Sequence, residues 1–177
     1  MTRYPISIDD LCVCPHHLWN KQSLILAAGD FAAGDYNAMT VGWGSFGTMW
    51  DRPIAMVVVR PQRHTYQFIE KYDTFTLCAF PPEHRRAVDL IGSKSGRDGD
   101  KIAEAGLTPI GASVVAAPVF AEAELIVECR KIFRTVYEPS QFIDPSIDRN
   151  YLKKDYHRVY FGEVMAILGT ESYRAEG

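Results

Sequence analysis

Six consecutive residues, Arg60-Pro61-Gln62-Arg63-His64-Thr65, carry two guanidinium groups, an imidazole and a hydroxyl, and Tyr66 follows them. A phosphate monoester is held by guanidinium forks, hydroxyl donors and the free N–H groups of a helix start, and this segment offers all three. A second stretch, Ser93-Lys94-Ser95-Gly96-Arg97-Asp98-Gly99-Asp100-Lys101, adds hydroxyls and cations. Ser93, Lys94, Ser95, Arg97 and Lys101 are placed to close a phosphate pocket from another side, with further N–H donors from a helix start near Asp98. A third stretch runs from Asn37 to Ser45. Its glycines, Gly42 and Gly44, and Ala38 permit close backbone approach by a flat ligand. Met39 and Trp43 offer apolar surface to a ring, Val41 shares their strand face, and Thr40 and Ser45 offer hydroxyls. His157 stands near the start of a strand in Asp155-Tyr156-His157-Arg158-Val159-Tyr160.

Each feature also has a plainer reading. The first is a solvated basic turn with a capped helix, and the second an exposed polar loop. The third is a strand with a glycine bulge and a core tryptophan. His157 alone reads as a strand-end histidine bonded to backbone. The chain has no G-x-x-x-x-G-K phosphate loop and no Ser or Cys in a nucleophile elbow. Cys12-Val13-Cys14-Pro15-His16-His17 is the one metal-like pattern, but Cys-x-Cys is not a zinc knuckle and no second ligand pair has matching spacing, so no metal ligands are assigned. Cys12, Cys14, Cys78 and Cys129 are expected as reduced thiols.

The elements that position these groups are short. An apolar run over 23–28 reads as a buried strand, and the turn signal Gly34-Asp35 returns it antiparallel over 36–43. Gly42, Gly44 and Gly47 are expected to break that strand. Residues 54–59 are apolar on both faces, as in a core strand, and Pro61 stops them. Thr65 is expected to N-cap a helix over 66–71. Residues 74–80 alternate and are β-rich. Pro82 opens a helix running to Ile91, with Gly92 as its stop. A short helix ends at Gly106. A strand pattern over 122–137 exceeds one ordinary strand, so a bend or bulge is expected. Residues 138–155 read as an inserted loop, and 156–168 as the last strand. The sum is one domain over 1–177, mainly β, antiparallel, with a few short helices. A barrel is favoured because it removes exposed edges.

Composition sets bounds. With 177 residues, 47% hydrophobic, the chain can bury a core. Its net charge of −3 does not suggest general binding to nucleic acid or an acidic membrane. No apolar run approaches the ~20 residues of a membrane helix, and acidic residues occupy the place of a signal peptide's apolar core, so a cytoplasmic location is expected.

Four motifs in order, N-x-M-T-x-G-W-G, V-x-V-R-P-x-R-H-T-Y, S-G-R-D-x-D-K and D-Y-H-x-V-Y-F-G-E-V, resemble the flavin reductase-like FMN-binding proteins, including flavoredoxin. The resemblance runs from about Leu24 to Leu168. It implies an FMN-binding split β-barrel of Greek-key topology, usually a homodimer with the flavin near the subunit interface. It implies that Asn37, Met39, Thr40 and Val41 lie along the isoalloxazine and ribityl chain, with backbone N–H groups near 40–42, Gly42 included, facing negative charge on the reduced ring. Arg60, His64, Thr65 and Tyr66 would surround the phosphate, with Ser93, Lys94, Ser95 and Lys101 completing that pocket. Ser45 is carried as a further cofactor-binding candidate. His157 matches the family histidine near the flavin face or the nicotinamide and is the candidate catalytic residue. The leading expectation is an NAD(P)H-dependent flavin reductase-like oxidoreductase, with hydride passing from NADH or NADPH to flavin N5. The alternative is a flavoredoxin-type electron carrier exchanging electrons with a protein partner. A third reading is a binding module holding another flat ligand such as haem.

Overall fold

Both faces of the central strands are buried, and this makes their sequences near-continuous apolar runs rather than alternating ones. The computed structural model describes residues 1–175. Ten strands are present among the described residues: β1 Tyr4–Pro5, β2 Leu24–Asp30, β3 Asp35–Val41, β4 Gly44–Met49, β5 Arg52–Val59, β6 Thr74–Ala79, β7 Pro109–Gly111, β8 Pro118–Phe120, β9 Leu125–Val136 and β10 Arg158–Gly169. The main antiparallel sheet has the order β3-β2-β6-β9-β10-β5-β4, with β1 on β10. Neighbouring residues on β2, β6 and β9 serve two cores. Leu26, Leu77 and Val127 point inward with Val57, Phe75 and Tyr160. Ile25, Cys78 and Ile126 point outward, beneath Ile91 and Phe120.

The helices are α1 Pro15–His17, continued by a π-helical turn Leu18–Gln22, then α2 His64–Lys71, α3 Arg85–Ser93 and α4 Lys101–Glu104. The inserted loop holds two 3-10 turns, Pro139–Gln141 and Pro145–Tyr151. The bulge expected in the long strand is present in β9, where Phe133 pairs with Phe161 and Lys131 with Gly162, leaving Ile132 extra; a second shift leaves Met165 of β10 extra.

Three local expectations are corrected. Gly42 breaks the strand as expected, since β3 ends at Val41, but Gly44 and Gly47 do not. Gly44 and Gly47 lie in β4, which pairs with β5 across a tight turn whose residues Trp50 and Asp51 both have positive φ (51° and 55°). The pair is not the Asn-Gly, Asp-Gly or Gly-Gly that such a turn usually signals, so the hairpin was not legible. Gly92 lies inside α3 and does not stop it; a Cβ there would stand 2.9 Å from the Thr40 Cβ, so the glycine allows α3 against β3. Thr65 is not the N-cap of α2; Arg63 is, with no side-chain cap.

The barrel is not closed by hydrogen bonds. Its path ends in β3 and β4, which the chain joins through Gly42 and Trp43, so the opening lies along that seam.

Candidate functional site

The seam is lined by a cleft in two connected parts. One, of about 430 Å³, is bounded by Met39, Arg60, Gln62, Arg63, His64, Thr65, the 93–96 loop and Lys101. The other, of about 190 Å³, is bounded by Met39 to Trp43, Val58, Arg60, Arg63 and His157. Met39, Arg60 and Arg63 belong to both. The first part is cationic, and no carboxylate lines it among the described residues. The second presents a half-exposed indole, Trp43, 5.1 Å from the His157 ring.

Local structure explains the cationic part. Helix α2 starts there without a side-chain cap, so its first N–H groups, at His64 and Thr65, are not consumed by one. Thr65 is instead buried. Its hydroxyl donates to the Ala38 carbonyl (3.0 Å) and accepts from Asn37 Nδ2 (2.9 Å), which stitches α2 to β3. Helix α3 points its C-terminus at the same place, which would repel an anion. Two cations answer it. Lys101 Nζ donates to the Ile91 and Lys94 carbonyls (2.8 and 3.0 Å), and Arg63 donates to the Gly92 carbonyl (3.0 Å). Burial, with Arg63 nearby, pulls the Lys101 ammonium down to about 8. Burial also lowers His64, helped by Arg97 and Lys101, so its imidazole is neutral near pH 7.

The 93–100 loop reaches the cleft through a close approach. A Cβ on Gly96 would lie 2.6 Å from Asn37 Oδ1 and 2.9 Å from His64 Cδ2. The helix start expected near Asp98 falls at Asp100, whose carboxylate accepts from the Ile102 and Ala103 N–H groups. Those donors are spent internally, so α4 offers none of them to a ligand.

Arg60 is less free than its sequence position suggests. Its Nη1 pairs with Asp155 (2.7 Å), its Nη2 donates to the Asn150 carbonyl (2.9 Å), and its guanidinium lies over the Tyr151 ring. That hydrogen bond holds Asp155 down to about 2. Register brings His157 beside Arg60, because Arg158 of β10 pairs with Val59 of β5. His157 Nδ1 lies 2.9 Å from the Tyr151 hydroxyl. Burial first, then Arg60, pushes this imidazole down to about 4.

Of the sequence candidates, Met39, Thr40, Val41, Gly42, Arg60, His64, Thr65, Ser93, Lys94, Ser95, Lys101 and His157 line the cleft. Asn37 braces it from behind, against Thr65. Ser45, on β4, pairs with Met56 of β5 and does not line it. Tyr66 does not line it either; its hydroxyl accepts from Arg158 (3.4 Å). Gln62, Gly96 and Val58 were missed, and so were Tyr151 and Asp155, which hold site residues. Both come from the 138–155 insertion; Asp155 opens the D-Y-H-x-V-Y-F-G-E-V motif, whereas no motif marks Tyr151.

The neutral His157 has a stability consequence. Between about pH 6.5 and 4 the unfolded chain holds the proton on this residue and the folded chain does not. Stability is therefore fully present above 6.5 and is lost as pH falls towards 4. Thermal melts across that window are expected to fall more steeply for the wild type than for His157→Gln; parallel curves would mean that His157 is protonated in the fold.

A family model described as flavin reductase like domain matches residues 21–175. No curated protein matches the sequence. Among solved structures, an FMN-binding domain of a flavin reductases-like enzyme from Shewanella baltica OS155 aligns with a TM-score of 0.69 at 18% identity, covering 95% of this chain and 77% of that one. Flavoredoxin of Desulfovibrio vulgaris (Miyazaki F) aligns with a TM-score of 0.66 at 23% identity, covering 90% and 73%. The NADH:FAD oxidoreductase of Streptomyces globisporus C-1027, in complex with NAD and FAD fragments, aligns with a TM-score of 0.59 at 16% identity, covering 82% and 73%.

Proposed function

Because the chain belongs to the flavin reductase-like domain family, we propose that it binds FMN along the seam of its split barrel and accepts electrons there from NADH or NADPH. The observation that carries this reading is the division of one cleft into a cationic part and an aromatic part that share Met39, Arg60 and Arg63. A phosphate and a flat ring need those two environments at that proximity. The donor set fits FMN: unspent N–H groups at His64 and Thr65, the cations Arg60, Arg63 and Lys101, and the hydroxyl of Ser95. Bound FMN would supply the chemistry, accepting hydride at N5 from a nicotinamide. The chain's own part is to fix the phosphate, offer Met39 and Trp43 to the ring, and present His157 as a neutral imidazole beside it.

In this reading Lys101 has two duties. Its ammonium neutralises the end of α3, and its charge attracts the phosphate. An anion favours the protonated amine, so FMN affinity is expected to fall as pH rises through about 8. Titrations from about pH 7 to 9 check this. A flat profile would remove Lys101 from the phosphate.

The reductase activity itself is tested by mixing the FMN-loaded protein anaerobically with NADH or NADPH. Bleaching of the flavin band by either supports the reductase. A flavin that neither nicotinamide reduces, but a redox protein does, would favour the electron-carrier reading. A second copy of the chain is the proposed partner. Met49, Trp50 and Phe133 are exposed, and the rings of Trp50, Phe133 and Phe161 pack steeply tilted or edge to face at 5.6–5.9 Å on one face. A monomer by light scattering would overturn this assignment.

A further inference from the structure

We infer that Tyr151 is the positioning residue for His157, and that the 138–155 insertion is a strap supporting the two ends of the cleft together. The kinetic half of this inference rests on the flavin reading above; the geometric half does not.

Tyr151 closes the second 3-10 turn of the insertion and is 2% exposed. A buried phenol requires a partner for its hydroxyl, and this one has His157 Nδ1 at 2.9 Å. The two rings meet at 82°, edge to face, with centroids 5.5 Å apart. Tyr151 is itself gripped: Phe142 stacks on it at 10° and 5.9 Å, and Tyr156 packs at 4.8 Å. The Tyr156 hydroxyl donates to Asp148 (2.7 Å), which ties the strap to the residue that follows it.

A histidine ring can turn over and exchange its two nitrogens unless one is held. Tyr151 holds Nδ1, and the other nitrogen, Nε2, has no protein hydrogen-bond partner among the described residues. His157 also lines the aromatic part of the cleft. The tyrosine therefore decides which ring nitrogen is left for a ligand, as outer partners do for metal-bound histidines.

The same tyrosine ring carries the Arg60 guanidinium, 5.1 Å from its centroid. The strap binds Arg60 twice more, through Asp155 and the Asn150 carbonyl. Asp155 also accepts from Gln62. Arg60 lines both parts of the cleft, so one segment fixes the cation between them and the imidazole at the ring end.

The test is Tyr151→Phe, which keeps the ring and removes only the hydroxyl, with Tyr137→Phe as a control. Tyr137 meets the His157 ring at 6.5 Å but makes no hydrogen bond to its nitrogens. In flavin-free protein, nitrogen NMR of His157 is expected to show a displaced Nδ1 resonance in Tyr151→Phe and an unchanged one in Tyr137→Phe. In FMN-loaded protein, Tyr151→Phe is expected to keep FMN affinity within about twofold and to slow flavin reduction by up to roughly 100-fold, the scale of a misplaced group at the reacting centre. An Nδ1 resonance unmoved by Tyr151→Phe overturns the inference, whatever binds in the cleft. So does a moved resonance with an unchanged reduction rate. A wild-type protein that binds no FMN would overturn the flavin reading instead, and the NMR result alone would then decide for or against Tyr151.

Discussion

Replacing Arg60 with alanine is expected to weaken FMN binding by about 1.5–3 kcal/mol, the range for a hydrogen bond to a charged group. That is roughly a 10- to 150-fold rise in Kd. The loss has two sources. A cation shared by both parts of the cleft disappears, and Asp155, with a side chain only 14% exposed, is left without its partner. The Asp155 carboxylate, now held down to about 2 by Arg60, would become an uncompensated negative charge beside a phosphate. Arg60→Lys should recover only part of the affinity. Lysine restores the charge but cannot reach Asp155 and the Asn150 carbonyl as a fork. Affinity unchanged in Arg60→Ala, measured by fluorescence titration, would place the phosphate elsewhere.

The second large effect lies outside the site. Glu128 on β9 is fully buried, and its carboxylate accepts from Ser113 N, Ser113 Oγ and Val114 N, each at 2.8 Å. These bonds fasten the loop between β7 and β8 over the sheet. Glu128→Ala removes all three and strands two backbone donors, so a loss of about 3 kcal/mol in unfolding free energy is expected. In urea the midpoint should fall with little change in slope. FMN affinity of the folded fraction should be unchanged, because Glu128 does not line the cleft. A stability loss under about 1 kcal/mol would mean that water replaces the carboxylate at little cost.

The sequence made the core strands legible wherever both faces are apolar, as in 54–59, and wherever a polar loop broke the pattern, as in 93–100. It also brought the right segments to one place, since the three polar stretches and His157 do meet along the seam. What it hid is tertiary. Thr65 has the residue type of an N-cap, yet burial turned its hydroxyl toward Ala38 and Asn37 and left α2 uncapped. Arg60 reads as a free guanidinium until the chain returns 95 residues later with Asp155. Ser45 sits one strand position too far, because the glycine-rich segment resumes as β4 rather than remaining a loop. Tyr151 lies in a segment whose local pattern specifies only turns, and its meaning comes from its contacts with His157 and Arg60.

The central claim is that one cleft holds a phosphate at its cationic end and a flavin ring at its aromatic end. Parallel titrations with FMN and riboflavin test it most directly, because the two ligands share the ring and differ only in the phosphate. FMN is expected to bind one to one and at least roughly tenfold more tightly, the scale of one charge-assisted hydrogen bond. That margin should shrink in Arg60→Ala. Equal affinities for the two ligands, or no binding of either, would contradict it.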